Sequence, residues 1–439
     1  MSSTTLELEG TPAEPTTATS DVAQGSQTSA QLEPQLGQDE AQLRALIAED
    51  AGCGLQTYAR LPIAFVRGAG ARLWDIEGKE YLDFLGGIAV VPAGHCHPAI
   101  VEAVSRQAAT LMHSSNLYYI EPQVRLAQRL HELSGGMRAF FCNSGAEANE
   151  AALKLARKHI KDVHGAQRYE VIAVLDGFHG RTYGSLAATG QPKYHEGFEP
   201  MPEGFRFVAR NDSEALRAAV GAHSAAIMLE PIQGECGIQP CSDEFMRTAR
   251  ELCDQHGLVL IFDEVQCGMG RTGRFFAHEW AGVRPDIITL AKGLGNGVPI
   301  GAMLAAEPVA SSFVPGNHGC TFGGNFLSST AALATLDVLA EEDLMANALR
   351  VGAYFAKKLG AWGEQSGVVK EIRGRGLILG VELNLPLARD LMKVCLENGF
   401  VFNAVGEWTL RFLPPLTITT SDVDEAMDKL LAAYEAVTK

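Results

Sequence analysis

The chain has 439 residues, 46% of them hydrophobic and 20% charged, and its formal net charge at pH 7 is −16. This length is too great for one simple core, so two domains are expected. An acidic chain lacks the basic surface that nucleic-acid binding requires, and no apolar run is long enough to span a bilayer, so neither nucleic acid nor a membrane is an expected partner.

Cysteine usage and the N-terminal residues point to the cytoplasm. The nine cysteines are scattered and form no CxxC pair, which is typical of reduced thiols rather than of a disulfide framework. The first residues have neither the basic and apolar regions of a secretory signal nor the arginines of a transit peptide. We therefore expect a cytoplasmic protein.

The chain is predicted to begin with a tail and a small β-meander. Residues 1–42 are rich in Ser, Thr, Gln, Glu and Pro, and such a segment buries too little apolar surface to offset its ordering entropy, so disorder is expected. Three short strands are then predicted, at residues 64–67, 72–75 and 81–84. A helix over residues 99–111 follows, with Pro98 in its first turn.

Apolar runs of strand length alternate with amphipathic helices in the middle of the chain. Strands are predicted at residues 139–142, 171–175, 225–229, 258–262 and 286–290. Helices are predicted at residues 146–161, 213–220 and 242–256. Because the strand runs are continuously apolar, the strands are expected to be buried on both faces, as in the mostly parallel sheet of an α/β protein.

The last hundred residues are predicted to form a smaller α/β domain. Two long helices, strands at residues 376–383 and 409–412, and a final helix from Ser421 are expected there. We expect residues 43–92 and 336–439 to make this small domain. Residues 93–335 would then be the large domain, and residues 1–42 the disordered tail.

Charged residues stand where two buried strands end. Asp263 and Glu264 follow the run LVLIF, and Lys292 follows the run DIITL and one alanine. A charge at the end of a buried strand is costly unless it is paired, and the carboxyl ends of parallel strands meet at the edge of a sheet where ligands bind. A phosphorylated, zwitterionic cofactor would pair these groups, so the site is expected there.

Lys292 and Asp263 suit an aldehyde cofactor with a pyridine ring. Burial lowers the pKa of a lysine, and the neutral amine can then form a Schiff base. A buried carboxylate beside the ring nitrogen keeps that nitrogen protonated, so the ring withdraws electrons. The alternative, a solvated lysine on a loop, fits less well with the close-packed turn that residues 293–297 (GLGNG) indicate.

The segment NSGAEANEAALKLARKH, which starts at Asn143, favours a phosphate site. Ser144 would cap a helix whose first N–H groups, at Gly145 and Ala146, face an anion with help from the helix dipole. The spacing of Ser144 and Glu147 also fits a plain capping box. Both interpretations stay open on this motif alone.

Two metal-like patterns are unfavourable as metal sites. Asp263 and Glu264 have no histidine or third carboxylate at ligand spacing nearby. In His95-Cys96-His97, neighbouring side chains of an extended segment point in opposite directions, and no matching pair occurs elsewhere. No metal is expected.

These motifs together resemble the class III pyridoxal-phosphate-dependent aminotransferases, from about Tyr58 to the C-terminus. Within that family, the resemblance is strongest to the enzymes that act on N-acetylornithine. The matching stretches are RGAGARLWDIEGKEYLDFLGGIAV, GHCHP, FFCNSGAEANEAALKLARK, FHGRT, EPIQGE, LIFDEVQCGMGRTG, LAKGLGNGVPIGA, HGCTFGGN, RGRGLILGVEL and LRFLPPL.

The resemblance implies the fold type I architecture and pyridoxal 5'-phosphate as cofactor, with its aldehyde on Lys292 and its ring nitrogen at Asp263. It implies that Phe178 stacks on the ring and that Gln266 lies near the ring hydroxyl. The implied cofactor-binding residues are Ser144, Gly145, Ala146, Phe178, His179, Asp263, Val265, Gln266, Lys292 and Thr321. Thr321 would reach the phosphate of a neighbouring subunit, which implies a homodimer.

The resemblance also implies the substrate-binding residues, which are Tyr58, Arg181, Glu235, Cys320 and Arg411. The two arginines would bind carboxylates through their planar, bidentate fork. Glu235 would pair with Arg411 while the amine donor is bound and release it for a dicarboxylate. The sequence departs from the usual pattern at Val91-Pro92, Cys236, Asn296 and Cys320, which bears on fine substrate preference.

The implied reaction is a ping-pong transfer of the δ-amino group of N-acetylornithine to 2-oxoglutarate, giving N-acetylglutamate 5-semialdehyde and glutamate. Succinyldiaminopimelate is a plausible second donor. Ornithine, succinylornithine and 4-aminobutyrate aminotransferases share the cofactor residues and remain alternatives. An aminomutase or decarboxylase would not need 2-oxoglutarate, and a phosphate-binding protein without catalysis would stay colourless.

Overall fold

The computed structural model of the protein describes residues 40–165 and 167–439. The helices are α1 (Glu40–Cys53), α2 (Gly86–Ala89), α3 (Pro98–Thr110), α4 (Glu121–Leu133), α5 (Gly145–His164), α6 (Tyr183–Ala188), α7 (Ser213–Ala219), α8 (Asp243–His256), α9 (Phe326–Glu341), α10 (Leu344–Ser366), α11 (Ala388–Glu397) and α12 (Thr420–Thr438). Short 3-10 turns lie at Pro192–Tyr194, Ala277–Trp280, Lys292–Leu294 and Ala310–Ser312.

The strands belong to four sheets. They are β1 (Phe65–Ala69), β2 (Arg72–Asp75), β3 (Glu80–Asp83), β4 (Arg138–Cys142), β5 (Glu170–Val174), β6 (Phe205–Val208), β7 (Ser224–Leu229), β8 (Ile232–Gln233), β9 (Gln239–Pro240), β10 (Val259–Asp263), β11 (Ile287–Leu290), β12 (Gly301–Ala305), β13 (Val369–Arg375), β14 (Ile378–Leu383), β15 (Phe400–Val401), β16 (Asn403–Val405) and β17 (Thr409–Phe412).

The largest sheet has seven strands in the order β4-β12-β11-β10-β7-β5-β6. Only β12 runs antiparallel to its neighbours β4 and β11, and the other pairings are parallel. The predicted α/β class with a mostly parallel sheet is therefore confirmed. All strands of that prediction are present, with ends shifted by at most one residue.

Strand β10 shows why the middle strands read as continuous apolar runs. Its alternate side chains point to opposite faces of the sheet. Ile261 packs with the apolar side of α5, while Leu260 and Phe262 pack with Phe245 and other residues of α8. Because helices cover both faces, every position of the strand must be apolar until the strand ends at Asp263.

The remaining sheets join distant parts of the chain. The β-meander β1-β2-β3 is extended by β15, which runs parallel to β3 and comes from near the C-terminus. Strands β13, β14, β17 and β16 form an antiparallel sheet, and β8 pairs with β9 in a short hairpin. The exact domain boundaries stay a prediction.

The predicted disorder at the N-terminus falls partly on α1. The prediction for residues 1–39 lies outside the described residues. For residues 40–42 it is wrong, because α1 begins at Glu40. The sequence EAQLRALIAE is rich in Ala, Leu, Gln and Arg, which are good helix formers, and this signal begins two residues before the predicted boundary.

The predicted element list was incomplete. It lacked the helices α1, α2, α4, α6 and α11 and the strands β6, β8, β9, β12, β13, β15 and β16. Strand β12 has the sequence GAMLA, whose small residues carry weak strand propensity, and it is fixed instead by pairing on both sides. In the described parts of the chain, no helix combines the length and apolar character that crossing a membrane would require.

One buried arginine ties the loop after β10 to the C-terminal region. Arg271 is 2% exposed, and its Nη1 donates to the carbonyl oxygens of Leu377 and Pro414, each at 2.8 Å. Burial lowers the pKa of Arg271 to about 9. This cation is satisfied mainly by backbone carbonyls, so its removal leaves those carbonyls buried without donors.

Replacing Arg271 with Ala is therefore expected to lower the free energy of unfolding by about 2–4 kcal/mol, from lost hydrogen bonds and packing. Urea denaturation followed by circular dichroism would measure the loss. Arg106→Ala is the matched control, because Arg106 is exposed on α3 and contacts only Glu102. Similar losses in both variants would contradict this role for Arg271.

Candidate active site

A cavity of about 440 Å³ opens at the carboxyl edge of the seven-stranded sheet. Loops that follow β4, β5, β7, β10 and β11 all contribute to its wall, as expected for an open α/β sheet. The predicted site residues that line it are Ser144, Gly145, Ala146, Phe178, His179, Arg181, Glu235, Asp263, Val265, Gln266 and Lys292. Residues that follow different strands of the sequence thus line one cavity.

Lys292 reaches the cavity from the 3-10 turn that follows β11. Its backbone adopts a left-handed conformation, with φ of 42°, so the local chain is held in an uncommon state that tertiary packing must stabilise. Burial lowers the pKa of Lys292, and the nearby charge of Arg411 lowers it further, against the opposing charge of Glu235. A lysine with a lowered pKa is a better nucleophile and base.

Asp263 ends β10 and lies only 3% exposed. One carboxylate oxygen accepts from the backbone N–H of Val265 at 3.0 Å. The other accepts from Asn149 Nδ2 at 2.7 Å and lies 2.8 Å from His179 Nδ1. These three donors fix the carboxylate and stabilise its negative charge.

His179 is the buried partner of Asp263. Burial alone would lower the pKa of His179, but the hydrogen bond to Asp263 and the negative charge of that residue outweigh burial and raise the pKa. Its Nε2 atom has no hydrogen-bond partner within the described chain. The imidazole therefore orients the Asp263 carboxylate, which lines the cavity.

Asn149 is a site residue that the sequence reasoning missed. It lies on α5, 1% exposed, and its Nδ2 also donates to the carbonyl of His179 at 2.7 Å. Its Oδ1 accepts from Thr289 Oγ1 at 2.7 Å. A signal was present, because Asn149 is a polar residue on the apolar face of α5, where an unpaired amide would be costly.

The start of α5 supports both interpretations of its motif. Ser144 Oγ accepts from the N–H of Glu147 at 3.2 Å, and the Glu147 side chain accepts from the N–H of Asn143 at 2.8 Å, so the cap exists. Gly145 and Ala146 nevertheless line the cavity, and the N–H groups of a first helical turn have no intrahelical acceptor. They are available for an anion.

Position 145 must be glycine because its backbone packs closely against the side chain of Val265. A Cβ atom at position 145 would lie 2.7 Å from Cγ1 of Val265. Such a contact is too short, so the backbone approaches that side chain only as glycine. The helix N-terminus and the loop after β10 are consequently packed together across the cavity.

A partly buried ion pair joins the cavity wall at Glu235 to Arg411 behind it. Arg411 on β17 is 3% exposed, and its Nη1 lies 2.9 Å from Glu235 Oε1 and donates to the carbonyl of Gly234 at 3.1 Å. Gln266 Nε2 donates to the same Glu235 oxygen at 3.0 Å. Burial opposes ionisation of Glu235, but the charges of Arg411 and Lys292 outweigh it and lower its pKa.

Comparison with known proteins identifies the family of this chain. The model of the family described as aminotransferase class-III matches residues 55–434. The chain belongs to the class-III aminotransferases. It is a pyridoxal-phosphate-dependent aminotransferase, as its sequence motifs predict.

Related proteins of known name agree with this assignment. The chain is 51% identical over 385 residues to an acetylornithine aminotransferase of Methanocaldococcus jannaschii, covering 88% of this chain and 96% of that protein. It is 50% identical to an acetylornithine aminotransferase of Caldanaerobacter subterraneus subsp. tengcongensis, over 86% of this chain and 95% of that protein.

Solved structures show the same architecture. The ornithine aminotransferase of Toxoplasma gondii superposes with a TM-score of 0.86 at 35% identity, over 90% of this chain and 96% of that one. The N-acetylornithine aminotransferase of Stenotrophomonas maltophilia gives a TM-score of 0.77 at 38% identity, over 89% and 99%. The predicted fold type I architecture is confirmed.

Four residues assigned from the family resemblance lie outside the cavity wall of this aminotransferase: Tyr58, Cys320, Thr321 and Arg411, of which Arg411 is paired to the lining residue Glu235. Tyr58 is 72% exposed and stacks near Arg60, with Cζ 5.5 Å from the ring centroid. The structure therefore does not bring Tyr58 to the site within one chain. Thr321 is exposed as well, and its role in a neighbouring subunit stays a prediction.

Cys320 lies beside the start of α5 and is not part of the cavity wall. Its Sγ atom accepts from Asn143 Nδ2 at 3.1 Å and lies 3.9 Å from Glu147 Oε1. The structure thus links Cys320 to the cap of α5 and does not place it at a substrate. Its expected contact with substrate has no support within one chain.

The metal-like histidines have other partners. His95 Nε2 lies 2.6 Å from Asp83 Oδ2, and His97 Nε2 lies 2.9 Å from Glu342 Oε1. These pairs diverge to different parts of the fold. Among residues 40–165 and 167–439, no group of three His, Cys, Asp or Glu residues is arranged to hold a metal ion.

Glu230 is a second residue that the sequence reasoning missed. It follows the buried strand β7, so the strand-end rule that found Asp263 applies to it too. Its carboxyl group accepts from the N–H groups of Phe178 at 2.9 Å and Gly234 at 3.2 Å. Burial raises the pKa of Glu230 to about 7, and the charge of Asp263 adds to the effect.

Because its pKa is raised, Glu230 should make the free energy of unfolding depend on pH. The folded protein holds the Glu230 proton more tightly than the unfolded chain, so this contribution to stability is full below the unfolded-state pKa of 4.5 and is lost as the pH rises through about 7. A Glu230→Gln variant has no such proton. Relative to the parent protein, it should gain about 3 kcal/mol between pH 4.5 and 8.

Urea midpoints of the cofactor-free proteins across that pH range would measure the gain. Glu214→Gln, on the surface helix α7, is the control and should show no pH-dependent difference from the parent. An offset between Glu230→Gln and the parent that is constant with pH would contradict the claim.

Proposed function

We propose that this enzyme transfers the δ-amino group of N-acetylornithine to 2-oxoglutarate, giving N-acetylglutamate 5-semialdehyde and glutamate. The observation that carries the proposal is one cavity lined by Lys292, Asp263 and Arg181, with a second arginine, Arg411, paired to the lining residue Glu235. The relatives named above at 50–51% identity are acetylornithine aminotransferases, which supports this choice of substrate.

The residues of the cavity fit pyridoxal phosphate. We propose that the N–H groups of Gly145 and Ala146 hold the phosphate and that Phe178 and Val265 flank the ring. Asp263, which lines the cavity, would pair with the ring nitrogen. Gln266 Oε1 is buried and without a partner among the described residues, so it offers an acceptor for the ring hydroxyl. His179 and Ser144 support these groups from behind.

Lys292 would do the proton chemistry. When bound, the cofactor supplies an aldehyde that condenses with amines and a ring that withdraws electrons from the adjoining carbon. The Nζ atom of Lys292, freed by the incoming amine and of lowered pKa, would take a proton from the δ-carbon of the donor. Glu235 lies close enough to Lys292 for its negative charge to favour the protonated amine.

The two arginines would divide the carboxylates of the substrates. Arg181 would bind the α-carboxylate of N-acetylornithine, remote from the reacting δ-carbon. Arg411 is already neutralised by Glu235 at 2.9 Å, so a donor with one carboxylate need not meet a second free cation. When 2-oxoglutarate enters, its α-carboxylate would take the place of Glu235 on Arg411.

We also propose a cytoplasmic homodimer in which Thr321 reaches the partner's phosphate. The segment Leu117–Tyr119 exposes large apolar side chains, and Tyr119 is 97% exposed. Neighbouring Asn116 donates to the carbonyls of Cys320 and Gly323, so this apolar segment adjoins Thr321. An exposed patch of this kind is typical of a subunit contact. All nine cysteines are free thiols, which suits a reducing compartment.

Replacing Lys292 with Ala should abolish turnover, by at least about a thousandfold, because no other side chain supplies both the amine and the base. The measurement is glutamate formation from N-acetylornithine and 2-oxoglutarate, with a melting curve to show an intact fold. Lys161→Ala, an exposed lysine on α5, is the control and should retain full activity. Near-normal activity of Lys292→Ala would refute the assignment.

A screen of amine donors tests the substrate itself. With 2-oxoglutarate as acceptor, kcat/KM should be highest for N-acetylornithine among N-acetylornithine, succinylornithine, succinyldiaminopimelate, ornithine and 4-aminobutyrate. The acylated donors lack a free α-ammonium, which would lie near Arg181 and be repelled. Ornithine is the important rival, because the ornithine aminotransferase of Toxoplasma gondii superposes closely. A preference for ornithine would transfer the proposal to that substrate.

A further inference from the structure

Arg181 has an unusual environment for a residue at the mouth of a cavity. It is exposed, and in the described chain no carboxylate or hydrogen-bond acceptor contacts its guanidinium group. Its contacts are aromatic: Cζ lies 4.0 Å from the ring centroid of Tyr194 and 5.6 Å from that of Phe178. A guanidinium held by ring faces keeps its N–H edges free.

Tyr194 is held firmly beneath Arg181. It ends the 3-10 turn Pro192–Tyr194, and its own N–H donates to the carbonyl of Gln191 at 3.0 Å. The side chain of Gln191, 6% exposed, donates to the carbonyls of Asp176 and Gly177 at 3.1 and 3.2 Å. The turn is thereby attached to the loop that carries Phe178.

The other end of the turn is anchored as well. Nε2 of His195 donates to the carbonyl of Leu186 at 2.8 Å, which fixes the turn to helix α6. The ring of Tyr194 also packs against Phe178 in an edge-to-face arrangement, with centroids 5.9 Å apart. The side chain of Tyr194 therefore has little conformational freedom, and it contacts both Arg181 and Phe178.

We propose that Tyr194 is the positioning residue that orients Arg181 for the substrate carboxylate. This inference rests on the proposed role of Arg181 in substrate binding. An arginine side chain that is free to rotate loses entropy when it grips a ligand, whereas a stacked one is already oriented. The ring supplies this orientation without consuming any N–H donor, so the full bidentate edge remains for a carboxylate.

The same geometry gives Tyr194 a part in selecting substrates. Because Tyr194 contacts both Arg181 and Phe178, the arginine that would bind the carboxylate is held at a fixed distance from the Phe178 ring. A donor whose amine and carboxylate match that distance gains from the preorganised arginine, and an amine without a carboxylate gains nothing. Replacing Tyr194 should therefore weaken the binding of donors that carry a carboxylate and leave the binding of amines without a carboxylate unchanged.

The test is a single-turnover titration of the holoenzyme, following the change in cofactor absorbance without 2-oxoglutarate. For Tyr194→Leu, the half-saturating concentration of N-acetylornithine should rise about three- to tenfold, with little change in maximal rate. Tyr194→Phe keeps the ring face and should stay near the parent value. With N-acetyl-1,4-diaminobutane, which lacks the carboxylate, all variants should match the parent.

Lys193→Met is the matched control. Nζ of Lys193 lies 4.8 Å from the same ring centroid, so this variant removes a cation from the ring without touching Arg181, and its half-saturating concentration should not change. Tyr194→Met carries the same prediction as Tyr194→Leu and replaces it if the latter does not fold. In an Arg181→Lys background, which lacks the planar group, Tyr194→Leu should add no further loss.

Two results would overturn the inference. One is an unchanged half-saturating concentration in Tyr194→Leu, and the other is an equal loss for the donor with and without a carboxylate. A parent enzyme that does not react with N-acetylornithine would instead overturn the proposed function. The comparison of variants would then be made with the amino acid that the parent accepts, and its outcome would still decide the role of Tyr194.

Discussion

The site depends on the mutual balance of several buried charges in one cavity. Asp263, Glu230 and Glu235 bring carboxyl groups, while Lys292 and Arg411 bring the opposite charge. Burial penalises each ionised group, and the attraction between unlike charges offsets that penalty only while all partners are present. Apolar residues would stabilise the sheet at least as well, so the charges are explained by chemistry. The raised pKa of Glu230 and the lowered pKa values of Glu235 and Lys292 reflect this compromise.

Helix α5 connects the two ends of the cavity. Its first N–H groups, at Gly145 and Ala146, form the end suited to an anion, and Asn149 lies one turn further on the same face. Asn149 holds Asp263 at 2.7 Å, so one rigid element sets the separation between the anion site and the carboxylate. Close packing of Gly145 against Val265 fixes that helix relative to the loop after β10. The distance between the two ends is therefore a property of the fold.

The sequence allowed the strand-end residues of the site to be predicted, but not the contacts that orient them. Lys292 and Asp263 were evident because a charge after an apolar strand needs a partner. The contacts of Asn149 and Tyr194 were not, since Asn149 bonds to Asp263 far away in the chain and the packing of Tyr194 on Arg181 depends on how the intervening loop and helix fold. Tyr58 shows the converse, because a role carried over from a family does not place a side chain in the cavity. Strand β12 was likewise missed, being defined by its neighbours.

Under the proposed function, the difference between the two arginines would let one site serve donors with one carboxylate and acceptors with two. Arg181 is exposed and stacked, and it can receive an anion at any time. Arg411 is buried and already neutralised by Glu235. In the proposed function, a dicarboxylate would exchange its own carboxylate for Glu235, which would leave Arg411 paired. If Arg411 were permanently free, a monocarboxylate donor would face a buried, unpaired cation, at considerable electrostatic cost. The ion pair would therefore make a second carboxylate site at Arg411 available only to a ligand that can replace Glu235.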